Sequence, residues 1–212
     1  LEIIKQKSEE LTGCFPMAKV HYALKANPGV PVVELLRDLG SSFDIASIFE
    51  LNRVLDTGVP PDRVSYGNTI KKAAHIKYAF EKGIRLFATD SKADLQSIAD
   101  NAPGSKIFVR ILVEGGETAE WPLSRKFGCH GISFHVGSQQ KDIAVWDAAL
   151  SKVKYMFDWM KLEEDIELKM INMGGGFPAN YISEVNPINV YAEEIRRYLH
   201  DDYGDNLPEI IL

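Results

Sequence analysis

Eight short apolar runs alternate with helical periods along this chain, and no other feature limits its fold as much. Residues 18–28, 43–46, 64–68, 86–89, 106–113, 132–136, 168–173 and 209–212 each read as a strand. Between them, apolar residues recur at helical spacing, as in Val32, Val33, Leu35, Leu36 and Leu39, or Ala73, Ala74, Ile76, Ala79 and Phe80. Further helices are expected over 1–13, from Ser47, from Asp90-Ser91 to about 101, over 142–160 and over 190–199. Ser47 followed by Glu50 makes a capping box. Strands alternating with helices imply a parallel sheet, and eight such units predict an α/β fold closed as a TIM-like (β/α)8 barrel. One unit breaks the pattern. Residues 114–130 contain Gly115-Gly116, Pro122 and Gly128 and no apolar period for a crossover helix, although a parallel crossover normally needs one. A missing segment near 129–130 is therefore expected, as is truncation within strand eight, with 1–212 forming one incomplete barrel.

A chain of 212 residues with 45% hydrophobic content can bury one large core. Its net charge of −6 gives no electrostatic footprint for nucleic acid, and no run is long and apolar enough to be read as a membrane span. Cys14 and Cys129 are too few to staple the fold, which suits a reducing, cytoplasmic setting. Small molecules or a second copy of the chain are the expected partners.

In a parallel barrel the chemistry collects at the C-terminal ends of the strands. Those ends hold Lys25, Asp44 to Ser47, Asn68, Asp90, Arg110, His135 to Ser138 and Gly174 to Gly176. Lys25, at the end of the first strand, becomes a nucleophile toward a carbonyl if its amine is partly desolvated; taken alone it reads more readily as a solvated surface lysine. Gly174-Gly175-Gly176 lets backbone N–H groups converge on an anion, or simply makes a tight turn. Ser133, His135 and Gly137 share one face of the sixth strand, so His135 can reach the mouth, and Ser138 offers a neutral hydroxyl to phosphate. Arg110, inside an apolar strand, needs an acceptor, with Asp44 or Glu50 as a structural pair, or a ligand, as candidates. The five histidines show no metal-ligand spacing with cysteine or carboxylate, so no metal is expected. A lysine, a histidine and a glycine cradle fit a carbonyl cofactor that carries a phosphate, as pyridoxal 5′-phosphate does.

Four motifs in order, Tyr22-Ala23-Leu24-Lys25-Ala26-Asn27, Phe43-Asp44-Ile45-Ala46-Ser47, Ser133-Phe134-His135-Val136-Gly137-Ser138 and Gly174-Gly175-Gly176-Phe177-Pro178, resemble the eukaryotic-type ornithine/lysine decarboxylase family. The resemblance implies an alanine-racemase-type barrel, with pyridoxal phosphate held by Lys25 as a Schiff base. It implies that His135 stacks on the pyridine face and takes part in catalysis with Lys25. Ser138 and Gly174, Gly175 and Gly176 would bind phosphate, while Asp44, Glu50 and Arg110 line the cofactor pocket. It also implies a carbon-carbon lyase that converts ornithine or lysine to a diamine such as putrescine for polyamine synthesis, working as a cytoplasmic homodimer with shared active sites and a C-terminal β domain. The barrel motifs are shared with diaminopimelate and arginine decarboxylases and with catalytically inactive regulatory homologues. Residues 122–128, Pro-Leu-Ser-Arg-Lys-Phe-Gly, look closer to the ornithine/lysine branch.

Overall fold

The computed structural model describes residues 1–113, 129–180 and 184–212. Nine β segments, β1 (Ala18–Lys19), β2 (His21–Ala23), β3 (Ser42–Ile45), β4 (Val64–Tyr66), β5 (Leu86–Thr89), β6 (Lys106–Arg110), β7 (Cys129–Ser133), β8 (Met170–Asn172) and β9 (Glu209–Ile211), form one sheet. All pairings are parallel, in the order β1-β9-β8-β7-β6-β5-β4-β3-β2.

β1 and β2 are the two halves of the first expected strand, divided at Val20. The lower half pairs with β9 and the upper half with β3. Backbone hydrogen bonds run on through the break: Leu212 N to Lys19 O at 3.0 Å, Ser42 N to Val20 O at 2.9 Å and His21 N to Leu212 O at 2.7 Å. The sheet therefore closes on itself, and the barrel has no open edge among these strands.

Period-two alternation sorts each strand between two cores. The outward-facing Phe43, Ile45, Val64, Tyr66, Phe87, Ile107, Val109, Ile132, Ile171 and Ile210 pack against the helices in the larger core. Ala88, Phe108, Met170 and Ile211 fill the barrel in a second, smaller cluster. Gly131 has an inward place because Met170 occupies the space: a Cβ there would come within 2.3 Å of Met170 O.

The helices are α1 (Glu2–Cys14), α2 (Val30–Asp38), α3 (Ile48–Asp56), α4 (Ala73–Glu81), α5 (Lys92–Asn101), α6 (Ala144–Glu163) and α7 (Ile188–Tyr203). The Ser47 hydroxyl caps α3 by accepting from Glu50 N at 3.3 Å, as the sequence predicts, and Ser91 caps α5 in the same way through Asp94 N. Residues 114–128, which carry the irregular crossover and the 122–128 motif, lie outside the described residues.

Several strands stop earlier than the apolar pattern suggests. The first ends at Ala23, where pairing with Asp44 ends, and Leu24–Ala26 forms a single 3-10 turn that tucks Leu24 wholly into the core. The sixth runs over Cys129–Ser133 rather than 132–136, so His135 stands just beyond it. Side-chain alternation continues past the last ladder bond, and the sequence registers only the alternation.

Candidate active site

The loops at the C-terminal mouth surround a cavity of about 500 Å³. Lys25, Asp44, Arg110, His135, Ser138, Gly174 and Gly175 all line it. Lys25, Asp44 and Arg110 also line an adjoining cavity of about 220 Å³, together with Glu50, Gly67 and Asn68. Seven of the nine residues singled out in the sequence thus meet in one hollow, Glu50 opens onto its neighbour, and Gly176 stands behind the wall.

Lys25 sits in the 3-10 turn after the strand, at the edge of both cavities. One expectation is corrected. Arg110, the last residue of β6, is exposed at the mouth rather than buried in the strand. Among the described residues no ion pair joins it to Asp44 or Glu50. Exposed at the border of both cavities, it needs no buried acceptor.

Asp44 lies at the centre. Burial pushes its carboxyl up to about 6, against the Ser65 hydrogen bond and the positive charges of Lys25 and Arg110, while Glu50 adds to the rise. Glu50 is partly committed to the fold, since its Oε2 accepts from Ala46 N at 2.6 Å. The pKa of His135 is lowered by burial and then by the charges of Arg110 and Lys25, which favours a neutral ring.

The glycine loop is held from three directions. Gly174 N–H donates to Asn172 Oδ1 at 2.9 Å, turning the chain at the end of β8. Gly176 takes φ +100°, and a Cβ there would lie 2.4 Å from Gly137 O, so this loop and the His135 loop touch backbone to backbone. Gln140 N donates to Gly176 O at 2.8 Å and Ala179 N to Gln139 Oε1 at 2.9 Å, clipping the two loops together. Phe177, next in sequence, stacks on Trp146 at 5.3 Å and meets Phe15 at 5.5 Å, which anchors the loop in the core.

His21, Ser65, Gly67, Asn172 and the pair Gln139 and Gln140 escaped the sequence reading. Strand parity carries a signal for the first two: counting back from Ala23 puts His21 inward, and pairing Asp44 with Ser65 puts Ser65 beside it. The glutamines act through backbone contacts with another loop, for which the local sequence has no marker.

A parallel barrel with a lysine, a carboxylate and a clipped glycine loop around one hollow defines a class of enzyme-like barrels that hold a phosphorylated carbonyl compound at the strand ends. The comparisons narrow this. The sequence model of the family described as "Pyridoxal-dependent decarboxylase, pyridoxal binding domain" matches residues 1–131 and 129–212, and the chain belongs to that family. The ornithine decarboxylase of Saccharomyces cerevisiae is 35% identical over 182 residues, 76% of this chain and 39% of that protein. Antizyme inhibitor 2 of Xenopus laevis is 32% identical over 189 residues, 80% of this chain and 41% of that protein. The structure of lysine/ornithine decarboxylase from Vibrio vulnificus complexed with putrescine superposes with a TM-score of 0.85 at 27% identity, covering 99% of this chain and 60% of that one. The chain spans about half or less of the curated relatives it matches. Among the described residues no helix is long and apolar enough to cross a membrane, and no group of three or more His, Cys, Asp and Glu is placed to hold a metal.

Proposed function

We propose that this chain is the pyridoxal phosphate-binding barrel of a decarboxylase acting on a basic amino acid, with ornithine and lysine as first candidates and a diamine as product. The observation that carries the reading is the convergence of Lys25, Asp44, His135, Ser138 and the glycine loop on one cavity of about 500 Å³. The fit to the cofactor rests on the cradle itself, where Gly175 lines the cavity with nothing within 4 Å of an added Cβ, so its backbone lies bare to a bound anion.

In this reading the Lys25 amine would hold the cofactor through its carbonyl carbon. Because Gly174 N–H is committed to Asn172, the phosphate would fall to the backbone of Gly175 and to the Ser138 hydroxyl, both of which line the cavity. The neutral His135 ring would hold the cofactor ring from one side, Asp44 would take a polar group of it, and Arg110 and Glu50 border the space beside them. When bound, the cofactor supplies an electron sink for the pair released as carbon dioxide leaves. Lys25, as an ammonium on the same cavity, would be able to hand over a proton.

The relatives are about twice this length, and a second copy of the chain supplying substrate-side groups belongs to this reading. Polyamine synthesis in the cytoplasm is the setting that goes with this activity. Because an antizyme inhibitor is among the relatives, binding and turnover need separate tests. Carbon dioxide release by the full-length protein from ornithine, lysine, arginine and diaminopimelate decides the substrate. Release from none of the four would reject the decarboxylase reading.

A further inference from the structure

The Asp44 carboxyl is gripped from two sides. On one, Ser65 Oγ donates to Asp44 Oδ1 at 2.6 Å, and His21 Nδ1 lies 3.0 Å from the same Ser65 oxygen. On the other, Gly67 stands so close that a Cβ there would come within 2.3 Å of both carboxylate oxygens. Ser65 is wholly buried, and His21 lines the cavity beside Asp44.

A serine hydroxyl has one hydrogen. With that hydrogen on Asp44, His21 Nδ1 must donate to Ser65, which fixes the imidazole as its Nδ1–H tautomer with Nε2 left as an acceptor. Burial pushes His21 down to about 4, against Glu209 and with Lys19, so the neutral ring is the form present near neutral pH. The three side chains come from β2, β3 and β4, so strand register, rather than a flexible loop, brings them together.

We propose that His21 and Ser65 are positioning residues for Asp44: a directed chain from His21 Nδ1–H through the Ser65 hydroxyl to Asp44 Oδ1 turns the carboxylate into the cavity and holds it ionised. Lys25 from the 3-10 turn and Arg110 from β6 act on Asp44 in the same sense; Glu50 from α3 and burial oppose them. His21 in turn faces Glu209 of β9 and Lys19 of β1. The use of Asp44 toward a ring of bound cofactor rests on the reading above, whereas its orientation by Ser65 and His21 does not.

The test is a titration of the Asp44 carboxyl by 13C NMR in full-length protein stripped of pyridoxal phosphate and labelled at aspartate, with the signal assigned through Asp44→Asn. Ser65→Ala removes a hydrogen bond to the ionised form and raises the Asp44 midpoint by about one pH unit; Ser65→Thr restores it. His21→Phe raises the midpoint by less, and His21→Asn, whose side-chain N–H can take the place of Nδ1–H, restores it. Unchanged midpoints in Ser65→Ala and His21→Phe would overturn the proposal, and if Ser65→Ala does not fold, the two His21 variants decide. Pyridoxal phosphate that fails to label Lys25 while the midpoint shifts are present would count against the cofactor reading and leave the chain standing.

Discussion

The Lys71 ammonium lies 2.7 Å from the Asp94 carboxylate, with the Lys71 side chain fully buried and that of Asp94 8% exposed. Lys71 Nζ also donates to Asn68 O at 2.9 Å and Ala88 O at 2.7 Å, so all three of its hydrogens have acceptors. One side chain thereby ties the exit of β4 to β5 and to the first turn of α5. The segment it pins, Gly67 to Thr69, borders the smaller cavity beside Lys25 and Asp44.

Replacing Lys71 by methionine keeps the volume and leaves Asp94 buried without its counter-charge. Breaking one half of a buried ion pair costs about 3–5 kcal/mol. Urea unfolding of full-length protein is expected to show a loss of that order for Lys71→Met. A loss below about 1 kcal/mol would mean that the pair is solvated in solution.

The three glycines of the loop are expected to differ. Gly175 has nothing within 4 Å of an added Cβ, so Gly175→Ala should fold normally. Its methyl group would then stand beside the cavity and weaken pyridoxal phosphate binding by about tenfold, or ~1.4 kcal/mol. Gly176→Ala meets both a positive φ and the Gly137 carbonyl, and should lose about 2–4 kcal/mol of stability. Thermal unfolding and cofactor titration of the two variants separate steric need from ligand need; equal stability losses would refute the distinction.

Asp44 and His21 give stability opposite slopes in pH. Asp44 rises from 3.8 unfolded to about 6 folded, so the folded state binds the extra proton and its contribution is lost as pH rises from about 4 to 6. His21 falls from 6.5 to about 4, so the unfolded state binds the extra proton and stability is gained as pH rises over nearly the same window. Each shift corresponds to about 3 kcal/mol, and in the wild type the two largely cancel. Relative to wild type, Asp44→Asn should gain about that much between pH 4 and 6.5, and His21→Phe should lose as much. Denaturant midpoints measured across this range check both signs, and parallel curves would show that neither group is shifted.

The barrel was legible because each strand of a closed parallel sheet is buried on its outer face and carries β-branched or aromatic residues there, as in Ile107, Val109, Ile132, Ile171 and Ile210. The meeting of Lys25, Asp44, His135, Ser138, Gly174 and Gly175 on one cavity was legible as well, since each lies within a few residues of a strand's C-terminal end. The exposure of Arg110 was not, because an arginine within an apolar run looks the same whether it closes the strand or sits inside it. The grip on Asp44 was also hidden. It depends on the register of β2, β3 and β4, which no single segment encodes, and on the absence of a side chain at Gly67.

The measurement that bears most directly on the proposed function is an absorbance spectrum of full-length protein with pyridoxal phosphate, before and after borohydride reduction, followed by peptide mapping of the modified lysine. The predicted result is loss of the visible band and a reduced pyridoxyl group on Lys25. No label, or a label on another lysine while Lys25 stays unmodified, would contradict the assignment of Lys25 and with it the proposed chemistry of the barrel.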